Sequence, residues 1–296
     1  MNNFMTNVFL SQRAAFTKSC SARDKALIFP DEIQEIKDIS YTEHSPYANR
    51  MDLFRPKNMH ERSLPVIINI HGGGLILGSK EFNRFYCAQL SKAGFLVFSV
   101  EYGLVPDVNV YDQFCDISNA MNTIEQLLVQ YNGDSGHVYM VADSGGAYLA
   151  VYTAAMQKAP SIAKAAHVTP SGLKLNALGL ISGMFYTTRF DKIGLFLPDF
   201  LYGKGYKKSA FAPYTNPENP EIVKALPPCY LVTSHNDMLK QYTLDFEKAL
   251  TRHNIRHILT NYPSNKKLTH AFSVFEPFWQ LSINEINIML DFLNQF

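Results

Sequence analysis

Apolar positions along the chain fall into two alternating patterns, and their order predicts an α/β architecture. Val66 to Ile70 (VIINI) is a nearly continuous β-branched run, which suits a buried parallel strand. Phe95 to Tyr102, His137 to Ala142, Leu175 to Ile181, Cys229 to Thr233 and Arg256 to Tyr262 are further strands. Between them the pattern turns helical: over roughly Glu81 to Ala93, along the stripe Phe114, Ile117, Met121, Ile124 and Leu128, and from Gly145 to about Lys158. A last helix carries Ile283, Ile286, Leu290 and Leu293 on one stripe. Upstream, residues 1 to about 30 read as helical or irregular. Glu35 to Thr42 and Met51 to Phe54 are modest strand candidates, the second stopped by Arg55-Pro56. Strands alternating with helices imply a mostly parallel central sheet with helices on both faces. In such sheets function gathers at the C-terminal ends of the strands.

One segment breaks the alternation. About 45 residues between Gly183 and Pro228 show no clear strand, yet nine Phe and Tyr residues lie between Phe185 and Tyr214. A structureless loop of that length inside a domain is improbable. The chain is therefore read as one domain over residues 1–296, with a small helical cap formed by about 184–226 and about 1–30.

A length of 296 residues fits one such α/β unit. With 47% hydrophobic and 18% charged residues, the composition is that of an ordinary soluble globular protein. A net charge of +1 does not favour nucleic acid or an anionic membrane as partner. The nine histidines are scattered without metal-ligand spacing, and the four cysteines (Cys20, Cys87, Cys115, Cys229) form no CxxC pair. Reduced, mostly buried thiols are expected, and neither a metal nor a cofactor. The N-terminal stretch lacks an early Lys or Arg and is interrupted by Thr6 and Asn7, so no secretory signal is read there. With no run of about 18 apolar residues to span a membrane, the expectation is a cytoplasmic protein, and a homodimer is left open.

Chemistry concentrates at the strand ends. In Ala142-Asp143-Ser144-Gly145-Gly146 the serine sits where a strand turns into a helix, the geometry of a nucleophile elbow. Gly146 matches the G-x-S-x-G pattern and Ala142 replaces its first glycine. Alone, such a serine is as readily a helix N-cap. His71-Gly72-Gly73-Gly74 follows the strand ending at Ile70, and three glycines expose backbone N–H groups to which a developing oxyanion can bind. A serine hydroxyl needs a base, and the base an orienting acid. In hydrolases of this order, acid and then histidine follow the serine. Asp237 lies in the loop after the strand at Tyr230 to Thr233, and His270 after the strand ending near Tyr262. His253, ending a helix, and His257, within a strand, are poorer bases, and His235 precedes the acid. Asp143, Asp134 and Asp116 compete with Asp237 for the role of acid. Asp143 should point away from Ser144, Asp134 enters at the opposite edge of the sheet, and Asp116 lies on a helix opposite the apolar stripe or at its margin.

From about Tyr41 onward the chain resembles the hormone-sensitive-lipase-like esterases, a group of the α/β-hydrolase fold. The resemblance rests on the HGGG block at His71, on Glu101-Tyr102-Gly103-Leu104-Val105-Pro106 (like the family's DYRLAPE), and on the DSGG block at Asp143 (like GDSAGG). It continues in Leu226-Pro227-Pro228 with the acid loop Thr233 to Leu239, and in His270-Ala271-Phe272 (like HGF). It implies cofactor-free hydrolysis of short- to medium-chain esters. The oxyanion donors would be the N–H groups of Gly73, Gly74 and Gly145, with an N-terminal segment and cap over the pocket. The departures are Ala142 for Gly, Gly145 for Ala, Gly103 for Arg and Ala271 for Gly. The reading is a serine carboxylesterase that takes a small-molecule ester. An amide or peptide hydrolase on the same fold and a non-catalytic binding protein are the alternatives.

Overall fold

The computed structural model describes residues 3–42 and 49–296. Helix α1 (Asn3–Lys25) is followed by β1 (Ile33–Ser40), β2 (Arg50–Pro56), β3 (Leu64–Ile70), α2 (Arg84–Lys92), β4 (Leu96–Val100), α3 (Val110–Tyr131) and β5 (Gly133–Asp143). Then come α4 (Gly145–Lys158), α5 (Pro160–Ala166), β6 (Ala177–Ile181), α6 (Lys192–Phe196), α7 (Pro198–Tyr202), α8 (Pro220–Ala225) and β7 (Cys229–Ser234). The described chain closes with α9 (Lys240–Arg252), β8 (His257–Tyr262), α10 (Phe272–Phe275) and α11 (Gln280–Leu293).

The strands form one 8-stranded sheet in the order β1-β2-β4-β3-β5-β6-β7-β8, parallel from β4 to β8 and antiparallel at β1–β2 and β2–β4. This is the α/β-hydrolase architecture with a mostly parallel sheet. The chain runs from β3 outward to β4 and then returns past β3 to β5. The crevice beyond the carboxyl ends of β3 and β5 is therefore the topological switch point, where ligands bind in open α/β sheets.

Alternating strand residues feed two cores. Val66, Ile68 and Ile70 of β3 and Met140 and Ala142 of β5 pack toward α3 and α4 with Ile117, Met121 and Tyr148. Ile67, Val97, Tyr139 and Val141 pack on the other face toward α2 and α11 with Leu90, Met289 and Leu290. The sheet is thus apolar on both faces, which explains the continuous rather than alternating runs.

Two strand boundaries depart from the pattern. Strand β2 does not stop before Arg55-Pro56: both residues pair with Gln34 and Ile33 of β1. Pairing to β4 ends at Phe54, so the missing proline N–H has no second ladder to break. Strand β5 begins at Gly133, so Asp134 lies inside it, opposite Pro65 at the start of β3. Two of the free cysteines, Cys87 and Cys229, are buried, and Cys20 and Cys115 are partly exposed.

The segment around residues 184–226 holds α6, α7, α8 and two single 3-10 turns. Its helices are short and locally specified: Asp191 caps α6 by accepting from the Gly194 N–H, and Pro198 and Pro220 open α7 and α8. Aromatic side chains tie it down. Phe211 lies 5.8 Å from Tyr152 of α4, and the Tyr202 hydroxyl lies 2.7 Å from that of Tyr148. Helix α1 is attached at few points, with only Phe9 buried among its described side chains. Phe9 meets Phe200 edge-on at 5.1 Å and Phe16 meets Phe82 at 4.8 Å. Arg13 donates to the carbonyls of Ile76 and Val105 and pairs with Asp107 at 2.7 Å. The first two residues of the segment read as helical or irregular lie outside the described residues. Among the described residues no helix is long and apolar enough to cross a membrane.

Candidate active site

Ser144 stands at the N-cap position of α4, but its hydroxyl makes no capping hydrogen bond. Its backbone is left-handed, with φ 49° and ψ −117°, which turns the side chain away from the helix. The turn is held by its N–H on the Ile181 carbonyl at 2.9 Å and by its carbonyl accepting from the Met184 N–H at 2.9 Å. A Cβ on Gly146 would fall 2.2 Å from the Ile70 carbonyl oxygen, so only glycine lets α4 approach β3 this closely. Ala142, between Ile70 and Leu180 in the sheet, is fully buried and accommodates its methyl group in the core.

Beyond the regular ends of β7 and β8 an isolated bridge pairs Asn236 with Thr269. Asp237 and His270, the next residue on each side, are thereby brought together. His270 Nδ1 lies 2.7 Å from Asp237 Oδ1, and His270 Nε2 lies 3.0 Å from Ser144 Oγ. The three residues that the sequence singled out form one hydrogen-bonded chain. Asp237 also accepts from the Thr233 hydroxyl at 2.8 Å and the Leu239 N–H at 2.9 Å. Burial alone would raise its pKa. The hydrogen bond and charge of His270, with help from Leu239 and Ser182, outweigh burial and hold it below the usual carboxylate value. His253 caps the end of α9, His257 faces Glu247 at 3.2 Å, and His235 is exposed on its loop.

Gly73 and Gly74 adopt φ 114° and 61° after β3, and none of the Gly73, Gly74 and Gly145 N–H groups donates to a backbone carbonyl across these turns. The loop is fixed from behind. Leu75 carbonyl accepts from the Val105 N–H and from Gln113 Nε2, and Arg13 of α1 holds the Ile76 carbonyl. His71 is structural: it stacks on Tyr102 at 4.3 Å, and burial presses its pKa down to about 4. Asp143 faces the loop and not Ser144, accepting from the Gly72 N–H at 3.0 Å and Asn83 Nδ2 at 2.8 Å. Complete burial raises its pKa to about 6. Asp116, expected opposite the apolar stripe or at its margin, is buried, and its carboxylate accepts from the Gly103 N–H at 2.8 Å.

Sequence reasoning missed the supporting residues. Ser182, at the end of β6 with φ 50°, accepts from the Ala271 N–H at 3.0 Å and also contacts Asp237. Leu75, Ser144, Ser182 and Ala271 all have positive φ without being glycine, Asn or Asp. Each such residue costs on the order of 1–3 kcal/mol, and these four surround the one site. Nothing in their residue types signals that conformation.

Ser144 and His270 open into a cavity of about 530 Å³, with Asp237 buried behind them. Its wall combines Met5, Val8 and Phe9 of α1, Ile76 and Leu77 of the glycine loop, Ile193, Phe196 and Leu197 around α6, and Met238 and Leu239 after β7. Apart from Ser144 and His270, Gln12 and Lys192 are its polar side chains. Such a cavity admits an apolar group and aligns it on a serine hydroxyl already bonded to imidazole.

A family model described as alpha/beta hydrolase fold matches residues 67–273. A probable isoprenylcysteine alpha-carbonyl methylesterase of Arabidopsis thaliana is 28% identical over 198 residues, which are 64% of this chain and 41% of that protein. A protein of the same description from Oryza sativa subsp. japonica is 26% identical over 213 residues, 69% of this chain and 50% of that one. The chain thus spans half or less of the length of these curated relatives. Among solved structures, esterase B from Lactobacillus Rhamnosis (HN001) superposes with a TM-score of 0.92 at 23% identity, over 99% of this chain and 95% of that one. A Pyrobaculum calidifontis esterase gives 0.75 at 21% identity, over 97% and 93%.

Proposed function

The chain belongs to the hormone-sensitive-lipase-like esterase family of the α/β-hydrolase fold, and from that premise we propose that it is a serine carboxylesterase. The observation that carries the proposal is the hydrogen-bonded chain Ser144–His270–Asp237 at the mouth of an apolar cavity. Ser144 Oγ attacks the ester carbonyl carbon while His270 Nε2 takes its proton. Asp237 holds the Nδ1–H tautomer and stabilises the imidazolium. The carbonyl oxygen, now negative, receives the N–H groups of Gly73, Gly74 and Gly145. His270 then protonates the departing alkoxide, leaving an acyl group on Ser144. A water deprotonated by His270 attacks that acyl-enzyme and releases the acid. No step uses a cofactor.

Residues 184–226 with α1 act as the cap. Within them, Ile193, Phe196 and Leu197 together with Met5, Val8 and Phe9 make the cavity apolar, and its size suits acetyl to hexanoyl groups better than chains of about twelve carbons. Esterase B from Lactobacillus Rhamnosis has been solved inhibited with a C4-C4 tributyrin phosphonate, whose short acyl chains are of this kind. The names of the plant relatives point to a methyl ester beside an isoprenyl group, an apolar partner of different shape. A panel of p-nitrophenyl acyl esters tests the proposal. Turnover of butyryl above palmitoyl is expected, and faster palmitoyl cleavage contradicts the acyl preference.

A further inference from the structure

Around α6 and the loop after β7, apolar side chains face solvent. Phe190 is 96% exposed, Met238 82%, Leu195 58% and Phe196 54%. Single exposed apolar residues are ordinary, but these come from α6, its approach and the loop after β7, which line two cavities that share α6 as a wall. Phe196 and Met238 line the catalytic cavity itself. Phe190 and Leu195 line a second cavity of about 490 Å³ on the far side of α6. The exposed ridge is not loose: Asp191 accepts from the Tyr242 hydroxyl and the Gly194 N–H, and Arg189 pairs with Asp245 at 2.8 Å. Apolar side chains of α6 thus face both cavities, Phe196 toward the one over Ser144 and Leu195 toward the second, whose wall also carries Thr188, Arg189, Lys207 and Thr215.

Charge accompanies it. Residues 190–211 carry Lys192, Lys204, Lys207 and Lys208 against Asp191 and Asp199. None of these four lysines takes part in an ion pair among the described residues. Lys192 lines the catalytic cavity and Lys207 the second one, and among the described residues neither cavity has an Asp or Glu in its wall. The net charge of +1 conceals this local excess.

We propose that this rim docks on an anionic lipid surface, with Phe190 and Leu195 entering the interface and the lysines meeting lipid phosphates. Aromatic and aliphatic side chains flanked by lysines suit the boundary between headgroups and acyl chains. The proposal rests on the hydrolase reading only in taking the cavity over Ser144 as the destination of an ester drawn from that surface.

Flotation of the full chain with vesicles of phosphatidylcholine and phosphatidylglycerol tests it. Binding is expected to be stronger than to phosphatidylcholine alone. It should weaken roughly tenfold or more in the double variant F190S/L195S, and likewise in K207E/K208E. Both variants lie outside the catalytic cavity, so turnover of soluble p-nitrophenyl acetate should stay within about twofold. No flotation, or flotation that neither double variant alters, overturns the proposal. A wild-type dimer that F190S/L195S dissociates overturns it in favour of a second copy of the chain. A wild type that floats but cleaves no soluble ester leaves the docking intact and removes the esterase instead.

Discussion

A Cβ placed on Gly145 would lie 3.0 Å from the backbone nitrogen of Gly74 and 2.9 Å from that of Leu75. The residue after the nucleophile and the glycine loop after β3 are thus in contact through their backbones. The contact is close because Leu75 is itself left-handed, with φ 69°. The pattern of the resembled family carries alanine here, a methyl group for which this loop leaves no room without a shift.

Gly145→Ala, a change toward the family pattern, should therefore harm this protein. The methyl group must push the Gly74 N–H away from the oxyanion position. Loss of one such donor costs on the order of 10²–10³ in kcat, so a fall of at least about tenfold is expected from partial displacement. Steady-state kinetics with p-nitrophenyl butyrate check it, and a variant as fast as wild type removes the proposed donor geometry.

Asp237→Asn keeps the size of the side chain but can fix the wrong imidazole tautomer. A fall of roughly a hundredfold to 10⁴-fold in kcat is expected, with little change in KM or melting temperature. Asp116→Asn and Asp134→Asn should act through stability instead, since Asp116 holds the Gly103 N–H and Asp134 the Gly136 N–H with His137. Retained kcat in Asp237→Asn, with loss in one of the others, places the acid elsewhere.

Ser182→Ala removes the hydroxyl between the Ala271 N–H and Asp237. As a positioning residue it should lower kcat several-fold and shift the acidic limb of kcat/KM, with KM nearly unchanged. An unchanged pH profile alongside a lowered melting temperature assigns Ser182 a purely structural role.

The order of elements and the grouping of the three candidate residues rest on local signals: continuous apolar runs, glycine-rich turns and strand ends. What supports them was not legible in such signals. The hydroxyl of Ser182 and the amide of Asn83 reach the site only through the sheet order, which brings β6 and the turn before α2 beside β5 and β3. The short helices of residues 184–226 offer too few residues for a 3.6-residue period to show, so their aromatic content was the only clue. The extension of β2 through Pro56 depended on which strand lies beside it, a tertiary fact.

Stability should fall as pH rises from about 5 to 8. Burial raises the pKa of Glu285 to about 8 and those of Glu101 and Asp116 to about 7, from ordinary values of 4.5, 4.5 and 3.8. Across those windows the folded state keeps protons that the unfolded chain has released, so rising pH favours unfolding until the folded pKa is passed. Glu285 lies between the hydroxyls of Tyr230 and Tyr262, with its other oxygen unpartnered among the described residues. Glu285→Gln should flatten the loss of melting temperature between about pH 5 and 8. An unchanged slope in that variant means that Glu285 ionises without cost in the fold.

The central claim is that Ser144 is the nucleophile. Treatment with a fluorophosphonate, followed by peptide mapping, tests it most directly, because only a serine activated by its neighbours reacts readily with such a probe. The account predicts one adduct per chain on Ser144, loss of esterase turnover in step with labelling, and no adduct in Ser144→Ala. That variant should remain folded and lose about four to six orders of magnitude in turnover. An adduct on another residue, or turnover in Ser144→Ala within tenfold of wild type, contradicts it.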